Sequence, residues 1–317
     1  LNTIISKRIS AFLNQHGENY DIIMPVSGRP EMADGFRMYA ETKYEWGKGL
    51  LYQVDPMADN EAFDRSLRSK MESLERLLYQ SMGFVFTTPI IYNANKLAGY
   101  NVNNVQGIEF PTISYKNNHE LNGSCLYQQA NEKTINCVFT GYLHRKLRSP
   151  QYTLELFSHI RSNDIHLYIA GKGYEEMITK YCTESTGQQI HYVGNLPPEE
   201  SLRLQDQSDF LVNIGNTCTN MVPSKVFEYI NTGKPIINIC KNHDCPSLRY
   251  YTRYPLVLNL FEDASDMTLE VQKLKDFITR NKGRVISQHE IIDLYPECAI
   301  EKVSSDISMR MQQMVGG

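Results

Sequence analysis

Short apolar runs alternate with amphipathic stretches along most of the chain, and few architectures accommodate that alternation. In the second half the runs are INCVFTG (135–141), IHLYIAG (165–171), IHYVG (190–194), DFLVNIG (209–215), PIINIC (235–240) and PLVLNL (255–260). Between and after them the periodicity predicts helices over 150–162, 174–186, about 198–206 and 267–281. A last amphipathic helix is expected near 296–315. The first half repeats the pattern. NTIISKRISAFLNQHG predicts a helix with Ile4, Ile5, Ile9, Phe12 and Leu13 at helical spacing, stopped by Gly17. YDIIMPV (20–26) reads as a buried strand, ADGFRMYAETKYEWG as a helix, and GLLYQVD (49–55) as a strand. A long helix over 60–83, the strand FVFTTP (84–89), a helix around 90–98 and a strand near VNNVQGIEF follow.

Such alternation implies mostly parallel sheets covered on both faces. The series is interrupted at 115–134, YKNNHELNGSCLYQQANEKT, which is polar, lacks a sustained period and reads as linker. The expected fold class is therefore α/β, with two Rossmann-like, doubly wound domains facing a cleft. The expected boundaries are 1–128, 129–285 and a helical segment, 286–317. Ligands of such folds bind outside the carboxyl ends of the strands. The first domain opens on a helix, and the chain begins at Leu1 rather than methionine. At least one further strand and a glycine-containing loop are expected upstream.

Charge narrows the function classes. The 317 residues carry a net charge of −4 and no long basic run, so the footprint of a nucleic-acid binder is missing. The seven cysteines form no C-x-x-C pair, which argues against a zinc site or a disulfide framework and fits a reducing cytoplasm. No apolar run approaches the roughly 20 residues that span a bilayer.

The stretch MVPSKVFEYINTGKPII (221–237) carries the most chemistry. Pro223 suits a first helical position. Val222 before it has no side-chain oxygen to cap the helix, so the N–H groups of Ser224, Lys225 and Val226 are expected to be free for an anion. Ser224, Glu228 and Asn231 form one polar stripe on that helix. Glu228, below such an anion site, is placed to accept hydrogen bonds from the two hydroxyls of a ribose. The alternative is a solvated glutamate, or one paired with a lysine. After the first strand of the second domain comes FTGYLHRKLRSP: Gly141 admits a close ligand, and Arg145, Lys146 and Arg148 suit a diphosphate or, alternatively, make an ordinary solvated loop. AGKGYEE (170–176) is a Gly-x-Gly turn of low specificity.

From about 135 to 240 the sequence resembles the nucleotide-sugar half of GT-B glycosyltransferases, in particular the large retaining family that assembles bacterial surface polysaccharides. The matching features are VFTG, LYIAGKGYEE, IHYVGNLPPEE and PSKVFEYINTGKPII, in that order. The resemblance implies transfer of a sugar from a nucleoside-diphosphate donor, of UDP or GDP type, to a glycan or lipid-linked acceptor. It implies a cytoplasmic protein, with peripheral attachment to the inner face of the membrane and homo-oligomerisation both open. Glu228 matches the second glutamate of the family's Glu-x7-Glu motif, which holds the donor ribose. Asn220 stands where the first is expected, and an amide can still bond a sugar hydroxyl. Tyr142 replaces the family's arginine after the first strand's glycine, leaving Lys146 and Arg148 as the catalytic cations. Val193 and Gly194 match the turn that reads the base. Among first-domain residues after strands, Asp55 is the candidate for acceptor activation, with Arg29 a further cleft-facing position. There is no Asp-x-Asp motif, so neither metal nor cofactor is expected. Competing readings are a sugar-nucleotide epimerase on the same fold and a catalytically inert nucleotide-binding subunit. The lack of a Gly-x-Gly-x-x-Gly after any strand disfavours a nicotinamide dehydrogenase.

Overall fold

The computed structural model describes residues 2–27, 29–58, 60, 63–109, 133–184 and 189–316. Apart from its last two residues, the polar stretch 115–134 lies outside them. The chain divides into two units: Leu1–Thr112 with Pro296–Gly317, and Ile113–Tyr295.

In the first unit, α1 (Thr3–His16) and α2 (Pro30–Lys43) precede β1 (Leu50–Gln53). Then come α3 (Arg65–Ser81), β2 (Phe84–Thr87), α4 (Pro89–Leu97) and β3 (Val105–Gly107). The strands pair in parallel in the order β1-β2-β3. The expected buried strand at 20–26 is instead an edge segment held by two isolated bridges, Ile23 to Gly49 and Val26 to Tyr52. Pro25 has no N–H to continue a ladder, and Met24 and Val26 are exposed. The inward face of α1 also differs from the one its periodicity suggests. Ser6, Ser10 and Leu13 are buried, while Ile4 and Phe12 are exposed. Small side chains belong on that face because α2 comes very close at Gly35, where an added Cβ would lie 2.6 Å from Ile9 Cβ. α12 (Ile300–Gly316) belongs to this unit, with Val303, Ile307, Met311 and Met314 packed against Leu50, Phe84 and Phe86.

The second unit runs β4 (Ile135–Thr140), α5 (Gln151–Ser158), β5 (Ile165–Ala170), α6 (Glu175–Glu184), β6 (Ile190–Gly194), α7 (Pro198–Gln207) and β7 (Phe210–Ile214). It continues with α8 (Lys225–Ile230), β8 (Ile236–Cys240), α9 (Leu248–Tyr251), β9 (Val257–Phe261), α10 (Met267–Asn281) and α11 (Gln288–Leu294). Its six strands are all parallel, in the order β6-β5-β4-β7-β8-β9. This is the doubly wound order whose direction of growth reverses between the first and fourth strands, here β4 and β7. β4, β5, β7 and β8 carry almost wholly buried residues, as a sheet covered on both faces requires. Among the described residues no helix is long and apolar enough to cross a membrane.

Candidate donor-binding site

A pocket of about 270 Å³ opens at the carboxyl ends of β4, β5 and β6, the end of the strands at which ligands of such folds bind. Gly141 and Tyr142 line it after β4; Ala170, Gly171 and Lys172 at the end of β5; Asn195 and Leu196 after β6. Ser201 of α7 and Lys225 of α8 complete it.

Glycine is required here for close backbone approach. A Cβ on Gly171 would lie 1.8 Å from the carbonyl oxygen of Gly141, and one on Gly173 would lie 2.1 Å from that of Leu143. Both glycines have positive φ, +149° and +99°. The two strand ends are further tied by Gly141 N–H to Ala170 O (2.9 Å), Leu143 N–H to Lys172 O (2.8 Å) and Gly171 N–H to Gly194 O (2.7 Å). The Gly-x-Gly turn is thus a packing device whose backbone forms one wall of the pocket.

Glu228 has its partners within the chain. Lys225 Nζ donates to both carboxylate oxygens, at 2.7 and 2.6 Å. Gln205 Nε2 donates to Glu228 Oε1 at 2.9 Å and to Thr140 Oγ1 at 3.0 Å. The Thr140 N–H in turn donates to the Tyr229 hydroxyl at 3.0 Å. Burial pushes that hydroxyl's pKa up to about 12, so it stays protonated and able to donate back to Thr140 O. Gln205, Thr140 and Tyr229 are nearly inaccessible to solvent. The carboxylate is therefore oriented from β4 and α7 as well as from its own helix. The lysine-paired alternative is the one observed; that lysine lines the pocket, and Glu228 itself is not among the lining residues.

The expected anion hole is smaller than the sequence suggests. α8 begins at Lys225 rather than Pro223, with Ser224 as its cap residue and no side-chain capping bond. The Val226 N–H is taken by Pro223 O at 3.0 Å, which leaves the N–H groups of Ser224 and Lys225 without a bonded acceptor among the described residues. Val222 is buried. Asn220 has a buried Oδ1 without a hydrogen-bond partner among the described residues and does not line the pocket.

Arg148 stands behind the pocket wall. Its Nη2 and Nε donate to Asn216 Oδ1 at 2.8 and 3.2 Å, and its Nη1 to the carbonyl of the lining residue Tyr142 at 3.4 Å. No carboxylate among the described residues forms an ion pair with it, and burial lowers its pKa. Lys146 is exposed on the same loop and outside the lining. The cations that do line the pocket are Lys172 and Lys225. Val193 and Gly194 sit at the end of β6, Gly194 at φ +83°, and turn the chain into Asn195 and Leu196. Asp55 and Arg29 belong to the first unit. Burial raises the Asp55 pKa, and Arg29 is the exposed cap residue of α2.

Sequence reasoning missed Gln205, Thr140 and Tyr229. A glutamine on a polar helix and a threonine at a strand end carry no sequence mark of their contact with Glu228. The lysine three residues before Glu228 was the available signal, since side chains so spaced meet on one helix face.

No protein-family model matches the chain, and no curated protein does. Solved structures match it in fold. Sucrose-phosphate synthase from Thermosynechococcus elongatus aligns over 98% of this chain and 78% of its own, with TM-score 0.68 and 12% identity. A glycosyltransferase from Rickettsia africae aligns over 98% and 80%, with TM-score 0.65 and 11% identity. A UDP-N-acetylglucosamine 2-epimerase candidate from Listeria monocytogenes aligns over 98% and 78%, with TM-score 0.62 and 11% identity. The chain has the Rossmann-like α/β fold of GT-B glycosyltransferases. At these identities the likeness is one of fold.

Proposed function

We propose that the protein is a glycosyltransferase whose second unit binds a nucleoside-diphosphate sugar and whose first unit receives the acceptor, a glycan or lipid-linked hydroxyl. The observation that carries this reading is the glycine-walled pocket at the strand ends, where Lys225 joins the lining to the fixed carboxylate of Glu228. In this reading the diphosphate lies against the Gly141–Gly171 wall, facing Lys225 and Lys172. The ribose meets Glu228, and the turn at Val193–Leu196 meets the base. Arg148, charged and with no carboxylate partner among the described residues, adds positive potential behind Tyr142. The departing diphosphate gains negative charge as the sugar leaves, so cations and N–H groups fixed in advance favour the transition state over the ground state. Asp55, its pKa raised by burial, is the candidate for acceptor activation.

The epimerase reading draws support from the Listeria neighbour. It needs an acid/base group at a sugar carbon, and among the described lining residues the polar side chains are Lys172, Lys225, Asn195, Tyr142 and Ser201. One assay separates the two. A panel of UDP- and GDP-sugars is incubated with the protein, with and without glycan or lipid-linked acceptors, and the products are resolved. Acceptor-dependent nucleoside diphosphate release supports transfer. Interconversion of the donor sugar without acceptor would overturn it in favour of epimerisation.

A further inference from the structure

The Lys225 side chain belongs to two places at once. Its Cγ lies 4.0 Å from where a Cβ on Gly141 would stand, and the residue lines the pocket. Its ammonium nevertheless spans both oxygens of Glu228. With Lys225 in this position, a ribose arriving alone must compete with a cation for the carboxylate that would bind it.

We propose that Lys225 changes partner when a nucleoside diphosphate binds. Its ammonium leaves Glu228 for the diphosphate, and the Glu228 oxygens become free to accept from the ribose hydroxyls. The proposal rests on the donor-binding reading above and adds a coupling to it. Two features make the exchange feasible. First, Lys225 has a flexible stem and three rotatable donors, and it sits one helical turn from Glu228, so one rotamer change moves the ammonium between them. Second, Glu228 is not abandoned when Lys225 departs. Gln205 remains on Oε1, itself fixed by Thr140 within a buried network. A diphosphate offers more negative charge and more acceptor oxygens than a carboxylate, so it wins the ammonium, whereas an uncharged nucleoside cannot. The site thereby rejects nucleosides and accepts their diphosphates, because the phosphate group unlocks the ribose group.

The test measures UDP by calorimetry and uridine by ligand-observed NMR, which reads weak ligands, on wild type, Lys225→Met and Lys225→Arg. Loss of one charge-assisted contact corresponds to about a tenfold weakening or more. UDP should therefore weaken by at least about tenfold in Lys225→Met and recover most of that in Lys225→Arg. Uridine should bind Lys225→Met as well as wild type or better, which also reports that the variant is folded. Parallel losses of UDP and uridine, or an unchanged UDP affinity, would overturn the exchange. GDP and guanosine are measured alongside, and failure of wild type to bind either UDP or GDP would overturn the donor-binding reading itself, so the two failures are told apart by the protein in which they occur.

Discussion

Glu228 accepts three hydrogen bonds from two side chains before any ligand arrives, and this sets what its removal should do. Charge-assisted bonds to a ribose contribute roughly 1.5–3 kcal/mol each. Glu228→Ala should therefore weaken UDP or GDP by at least about tenfold in calorimetry, with the melting temperature little changed because the side chain is partly exposed. Equal nucleotide affinities in wild type and variant would return Glu228 to the role of an ordinary helix-surface partner of Lys225. Arg148 gives a second residue-level expectation. Arg148→Ala should reduce affinity for UDP by at least about tenfold and for uridine far less, since a guanidinium contributes through phosphate charge. Equal losses would mean that its bonds to Asn216 and Tyr142 merely shape the loop. At this scale the sequence disclosed Glu228 through the proline, glycine and apolar residues around it. It could not disclose Gln205, whose contact with Glu228 depends on how α7 lies against α8.

The strand ends and their turns set the second scale. Gly171 and Gly194 both have positive φ, yet they should respond differently to alanine. Gly194→Ala meets open space and only backbone strain, a cost of about 1–2 kcal/mol. Gly171→Ala drives a methyl into the Gly141 carbonyl, so the wall must open, which should cost more than about 3 kcal/mol or prevent folding. Denaturant unfolding of the two variants checks the order. If Gly171→Ala proved the milder change, the strand ends would not be packed as described. Elements with strong periodicity were legible within a few residues: 267–281 is a helix as expected, and 165–170 and 190–194 are strands. Shorter or competing signals were not. Pro25 interrupts the run at 20–26, and α3 starts five residues later than its apolar pattern suggests. α11 falls within the helical segment expected over 286–317 but was not legible there as a separate helix, although Ser287 and Glu290 form a capping box at its start.

At the scale of the whole molecule, the parallel sheets follow from the alternation of runs and helices, while the strand order had to be seen. One stability term belongs to this scale because it lies near the amino ends of β5 and β6, away from the pocket. His166 Nε2–H donates to Asn163 O, which leaves its Nδ1 to accept from His191 Nε2–H at 3.0 Å. Burial, reinforced by His166, lowers the His191 pKa to about 4 from 6.5. The unfolded chain thus takes up this proton at a higher pH than the folded one. The contribution is complete above about pH 6.5, declines as pH falls towards 4 and is constant below it. For a partly exposed ring it should be on the order of 1 kcal/mol. His191→Gln should flatten the unfolding free energy against pH over that window, and an unchanged slope would remove the pair from the account.

The central claim is that the pocket at the ends of β4, β5 and β6 binds a nucleoside diphosphate, and a crystal structure of the protein with UDP bound tests it most directly. The account predicts the diphosphate against Gly141 and Gly171, with Lys225 turned from Glu228 towards a phosphate oxygen and the ribose hydroxyls on the Glu228 carboxylate. UDP bound elsewhere, or bound here with its ribose away from Glu228, would contradict it.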